Sequence, residues 1–288
     1  DMFHHPRSIM TQTYQRVYEA LEVVCSSIDQ LILLKGNHDQ ALFQNTRATA
    51  LYPLKNLPNI SIVLDQDEIL LKHKNEEAVL SLLPFMENKN DIKKGLNHVK
   101  SGSILMSHCG LSEGVIGPNE ISIDGALSLH DLRPLNLKVG IFGHYHKPQT
   151  FVDDNIFICG GLTQLNMLDR GEKRGVIIYD SATNETKRVW LKGPQFHLFE
   201  LDDKKSLADL KQRLPDLKDG YVRVLLKTKT IVKDQIIEWL EKAEVRAHQI
   251  RHAIQQEAEV RNQALTAKLL GSGLEDCLCD YVDHVSVD

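Results

Sequence analysis

Short apolar runs recur along the chain, several of them stopped by Gly, His or Pro. Residues 31–34, 60–64, 69–73, 79–83, 104–107, 139–142, 157–159, 175–180 and 189–191 all have the length and texture of strands. Several are apolar without interruption, the habit of strands covered on both faces of a parallel sheet. Between the first two runs, residues 42–53 read as helical or irregular, and the acidic 65–68 stretch reads as a turn. Helical spacing predicts a helix over residues 9–27, with Val17, Leu21 and Val24 on its apolar face and Ser8 as N-cap. Residues 89–100 are polar and basic, expected as an exposed loop and helix that is either a solvated surface or a phosphate-contacting patch. The 110–131 connection carries Gly114, Gly117 and Pro118, and Ala126-Leu127 is expected to start a short helix.

Near Gly193-Pro194 the texture changes. Strand (196–201), helix (207–214), strand (221–226) and helix (232–243, with Ile236, Ile237 and Leu240 on one face) follow in turn. Residues 249–254 are ambiguous between strand and helix, and 258–288 read as helix broken at Gly271-Ser272-Gly273. The expected organisation is an α/β (α+β sandwich) domain over 1–192, a smaller βαβ-like domain over 193–256 and a helical segment over 257–288. Leu265, Leu269, Leu274, Leu278 and Val282 in that segment suit either partner docking or packing within the chain.

Bulk composition narrows little. The chain has 288 residues, 42% hydrophobic and 25% charged, as soluble globular proteins do. A net charge of -5 argues against an overall basic nucleic-acid binder, although a local basic groove is compatible with it. No run approaches a membrane span, and no signal peptide opens the sequence. Five scattered cysteines suit reduced thiols in a cytoplasmic compartment.

The chemistry collects where apolar runs stop. Residues 31–34 lead into Gly36-Asn37-His38-Asp39, 104–107 into His108, and 139–142 into Gly143-His144-Tyr145-His146. Ligands gather at the carboxyl ends of parallel strands, so this pattern delivers nitrogen and oxygen donors to one edge. The joint pattern resembles the calcineurin-like metallophosphoesterases, whose blocks run Asp-x-His, Gly-Asp, Gly-Asn-His-Asp/Glu, His and Gly-His-x-His. Further stretches are similar to the SbcD-type DNA repair nucleases, bacterial or phage: Asp1-Met2-Phe3-His4 with Pro6-Arg7-Ser8, Gly143–Gln149, Gly160–Asn166 and Gly171–Gly175. Together with the smaller domain, the resemblance covers the chain from Asp1 to about Ile254.

That resemblance implies a metal-dependent DNA exo- and endonuclease subunit with two divalent ions, most often Mn2+, and an SMC-like ATPase partner of the SbcC type. It implies Asp1, Asn37, His108 and His144 as ligands of one ion, Asp1 as the bridge, and His146 on the other ion. His38 would stabilise the transition state or act as general acid, Asp39 would hold its imidazole, and His4 would be a second catalytic His. The smaller domain would contact DNA, and a homodimer is compatible with the family. No Asp-x-His occurs in the sequence, so the chain is expected to be a fragment lacking the first strand and motif, and inactive alone. A stand-alone metallophosphatase or small phosphodiesterase, and a non-catalytic scaffold binding DNA or a partner, are the alternatives.

Overall fold

In the computed structural model, residues 1–3, 8–40, 48–73, 76–116, 121–122, 125–228 and 230–252 are described. Contacts divide the chain into two compact units, one of residues 1–162 and 173–191, the other of 163–172 and 192 onward. The segment 257–288 lies outside the described residues.

Period-two alternation builds the larger unit. Strands β1 (Leu31–Leu34) and β2 (Ile60–Val63) pair in parallel. Leu31, Leu33, Ile60 and Ile62 pack with Leu21 and Cys25 of helix α1 (Thr11–Cys25). Ile32, Leu34 and Val63 point the other way, into a second apolar layer. There they meet a mixed sheet of six strands: β3 (Asp67–His73), β4 (Glu76–Leu83), β5 (Ile104–Ser107), β8 (Val139–Phe142), β10 (Ile156–Ile158) and β9 (Gln149–Phe151), in that spatial order. Leu80, Ile104 and Val139 face this layer, while Leu83, Leu105, Phe142, Ile156 and Ile158 face the opposite one. Helices α2 (Lys89–Leu96) and α3 (Leu129–Leu132) close that far side with Ile92, Leu96, Leu129 and Leu132. The result is an α/β sandwich. Two small pairs complete the unit: β6 (Val115–Ile116) with β7 (Ile121–Ser122), and β11 (Arg174–Asp180) with β12 (Glu185–Leu191).

The smaller unit is a parallel sheet of β13 (Phe196–Leu201), β14 (Tyr221–Leu226) and β15 (Ala247–His252). Helices α4 (Lys204–Arg213) and α5 (Lys233–Lys242) make the crossovers. Val222, Val224 and Leu226 meet Leu210, Ile236 and Leu240 in its core.

Local details differ from the sequence-based expectation where long-range packing intervenes. Helix α1 starts after Met10 with no side-chain cap, so Ser8 is not its N-cap. Its buried residues are Leu21 and Cys25, and Val24 is exposed. The short helix begins beyond Ser128, whose hydroxyl and Asp131 form a capping box, because Leu127 instead bridges to Leu111. Asp67 and Glu68 belong to β3 rather than a turn, paired with Leu82 and Ser81. Residues 247–252 resolve as strand. Among the described residues, no helix is long and apolar enough to cross a membrane.

Candidate functional site

Register brings two of the three motif ends together. Strands β5 and β8 are parallel neighbours with Ser107 opposite Phe142, so the residues that follow, His108 and Gly143-His144, emerge side by side. The rings of His108 and His144 meet edge to face with centres 5.6 Å apart. Gly143 is required here, because a Cβ on it would sit 2.7 Å from His108 Nδ1. From β1, the third end arrives through Lys35, whose N–H donates to Val63 and whose carbonyl accepts from Phe85 N–H.

Asn37 and Asp1 complete the group. His144 Nδ1 lies 3.1 Å from Asn37 Oδ1, and His108 Nε2 lies 3.1 Å from Asp1 Oδ2. Asp1 Oδ1 accepts the His38 backbone N–H at 2.8 Å, tying the opening segment to the Gly-Asn-His-Asp turn. Close approach there needs Gly36, where any Cβ would overlap the Asp1 carboxylate. Asp39 is 2% exposed and does something its sequence neighbours do not disclose. Its Oδ1 accepts from the N–H groups of Met2 and Phe3 at 2.7 and 3.2 Å, and its Oδ2 accepts from Gly36 N–H at 2.9 Å. It gathers the Asp1 segment against the motif turn. Phe3 is buried next to it, stacked on Tyr14 of α1.

His144 sits in an uncommon backbone state. Its φ is 69°, and Tyr145 N–H donates to the Gly143 carbonyl at 2.9 Å, a turn of three residues centred on the imidazole-bearing one. A non-glycine residue held there costs about 1–3 kcal/mol, which the surroundings must over-determine. Phe85 stacks on the His144 ring at 6.2 Å, and Tyr145 packs on it edge to face at 5.3 Å.

Both imidazoles are neutral at pH 7. Burial lowers the His108 pKa to about 3. Burial also dominates at His144, lowered to about 4, with the charges of His108, His38 and His146 adding to the effect. Neutral imidazole is the form that donates to a metal.

A carboxylate, a carboxamide and two neutral imidazoles suit a divalent ion of intermediate hardness. In octahedral coordination, neighbouring donors about 2.1 Å from the ion stand about 3 Å apart. Each 3.1 Å pair therefore already has the spacing of neighbouring ligands. The donor chemistry fits one ion. Among the described residues, no group of three or more His, Cys, Asp and Glu side chains is placed to hold a metal. The contacts form two pairs, Asp1 with His108 and Asn37 with His144. His4 lies outside the described residues.

Three further residues shape the site without an obvious sequence signal. Tyr145, between the two histidines, donates its hydroxyl to the Leu111 carbonyl. Gln149 ends the stretch by bonding both backbone groups of Val115, Oε1 accepting at 2.9 Å and Nε2 donating at 3.0 Å. Arg188 of β12 donates to the carbonyls of Cys159, Ile158 and Gln149 at 2.8, 2.9 and 3.0 Å. It fixes the ends of β9 and β10, from which Gly161 N–H reaches the His146 carbonyl. In the smaller unit, Gln164 and Asn166 are also committed internally. Gln164 bonds Phe196 N–H and the Glu172 carbonyl, and Asn166 caps the turn at Met167–Asp169. No protein-family model matches the chain, and neither does any curated protein.

Proposed function

We propose that the chain is the nuclease subunit of a DNA repair or recombination machine, a metal-dependent phosphodiesterase of the calcineurin-like, SbcD-related type. The observation that carries this reading is the meeting of Asp1, Asn37, His108 and His144 at the ends of β1, β5 and β8, in the motif order of that family. Asp1, Asn37, His108 and His144 would hold a divalent ion, most suitably Mn2+, and His146 would serve a neighbouring one. Such an ion, when bound, lowers the pKa of a coordinated water and neutralises charge on the phosphate.

The chain's own residues do the rest. Burial keeps His108 and His144 unprotonated and directed by fixed backbone. Asp39 holds the segment that carries Asp1. His38, anchored through its N–H to Asp1, is the group we assign to proton donation at the leaving oxygen or to steadying the phosphate.

DNA rather than phosphoprotein is the substrate class favoured by the Lys147-Pro148-Gln149 and Gln164-Leu165-Asn166 segments and by the added βαβαβ unit. An SMC-like ATPase is the corresponding partner. Buried thiols at Cys25 and Cys109 are compatible with a cytoplasmic setting. One observation favours a second reading, a scaffold that binds DNA or a partner without cutting: among the described residues no group of three or more His, Cys, Asp and Glu side chains is placed to hold a metal, whereas the two-metal reaction uses a pair of ions. Both readings meet in one experiment. With Mn2+ supplied, turnover by the chain and by a version extended with an Asp-x-His strand ahead of Asp1 is compared on a labelled duplex, a DNA hairpin and a phosphopeptide, the extended version deciding. Preferential DNA cleavage supports the nuclease, binding without cleavage supports the scaffold, and faster phosphopeptide turnover rejects both.

A further inference from the structure

Tyr145 separates the two histidines of Gly-His-Tyr-His and is 3% exposed, deeper than either. Its side chain leaves the site and enters the apolar layer formed with Leu111, Leu127 and Phe142. There its hydroxyl donates to the Leu111 carbonyl at 2.5 Å. Leu111 lies three residues beyond His108, on the loop that leaves β5. One hydroxyl therefore ties the loop carrying His108 to the turn carrying His144.

The loop is shaped around that ring. A Cβ on Gly114 would lie 2.7 Å from Tyr145 Cζ, and one on Gly110 would lie 3.1 Å from the hydroxyl and 3.3 Å from His144 Cδ2. Gly125 passes beneath, where a Cβ would come within 2.4 Å of the Leu111 carbonyl carbon. Backbone can approach the phenol this closely only because Gly110 and Gly114 lack side chains, and the Leu111 backbone can lie against Gly125 for the same reason. On its other side, Tyr145 closes the turn that holds His144 at φ 69°. Backbone strain at His144 persists only if both ends of the turn are pinned. Gly143 is pinned by its N–H bond to the Ser107 carbonyl, and Tyr145 by its buried hydroxyl.

We infer that Tyr145 is a positioning residue that sets the mutual orientation of His108 and His144, and so the affinity of the site for a divalent ion. This rests on the metal-site reading above. Removing the Tyr145 hydroxyl deletes the bond to Leu111 while keeping the ring.

Mn2+ is titrated calorimetrically, and followed by its electron paramagnetic resonance, into the full chain and three variants. Tyr145→Phe keeps the ring and loses the clamp, and should weaken Mn2+ binding about 10–100-fold, as loss of a supporting hydrogen bond behind metal ligands does. Gly114→Ala pushes the ring through its neighbour and should weaken binding in the same direction. Leu132→Ala removes bulk from the same apolar layer away from the histidines, and should lower the melting temperature while leaving Mn2+ affinity unchanged. Unchanged affinity in Tyr145→Phe, beside a wild type that binds, overturns the inference alone. Equal weakening in Leu132→Ala also overturns it, by reducing the effect to general destabilisation. A wild type that binds no Mn2+ overturns the metal-site reading itself.

Discussion

Replacing Asp39 by Asn tests how the site is assembled, because the two side chains are nearly the same shape. Asp39 accepts hydrogen bonds from three backbone donors, Met2 and Phe3 N–H at Oδ1 and Gly36 N–H at Oδ2, and its Oδ2 lies 3.6 Å from the Asp1 main-chain nitrogen. Asn presents one acceptor and one NH2, so whichever way it turns, a donor faces a donor. A buried hydrogen bond to a charged group contributes about 1.5–3 kcal/mol, and an unpaired buried donor costs about 1–3 kcal/mol. The Gly36 bond or the Met2–Phe3 pair is lost, which puts the destabilisation at about 2–5 kcal/mol, a large part of a typical domain's stability. Urea denaturation followed by fluorescence gives the total. Amide hydrogen exchange at Phe3 and Gly36 shows where it is lost. Affinity for Mn2+ should fall as well, since Asp1 is held in place by the same bonds. A variant within about 0.5 kcal/mol of wild type, with both amides still protected, would refute the reasoning, because that is the range of an ordinary surface substitution.

Two other outcomes follow from named contacts. Arg188→Met keeps the apolar stem but strips three carbonyls of their donor, and should cost about 2–4 kcal/mol with faster amide exchange along β9 and β10; a urea midpoint unchanged from wild type would contradict the role given to Arg188. His197 in the smaller unit is held below its ordinary value of 6.5, first by burial and then by Arg213, with Asp216 opposing. The unfolded chain therefore binds the proton more readily, and the contribution of His197 to stability is full above pH 6.5 and declines as pH falls toward the depressed folded value. His197→Gln should flatten that part of the stability profile, and identical profiles would exclude it.

The parts of the fold legible in the sequence were those governed by local pattern. Residues 31–34, 104–107 and 139–142 are strands because they are short, apolar and closed by Gly or His, and the βαβαβ order of the smaller unit follows from alternating periods. Adjacency of His108 and His144 follows once β5 and β8 are known to pair in parallel, which the spacing alone does not say. What stayed hidden depends on long-range partners. Asp39 bonds residues 36 and 37 positions away, and Arg188 reaches carbonyls 29 to 39 positions away. Neither residue type advertises such partners. Tyr145 bonds a carbonyl 34 positions earlier, which its place between two histidines does not disclose. The face of α1 was misjudged at Val24, since helical spacing fits both it and Cys25, and only packing against β1 chooses Cys25.

The central claim is that Asp1, Asn37, His108 and His144 form a site for a divalent ion, with His38 beside it rather than in it. Calorimetric titration of Mn2+ into the wild type, His108→Ala and His38→Ala tests this directly. The account predicts about one tight site in the wild type, its loss in His108→Ala, and near-normal binding in His38→Ala. Equal loss in both variants, or tight binding that survives His108→Ala, would contradict the ligand assignment.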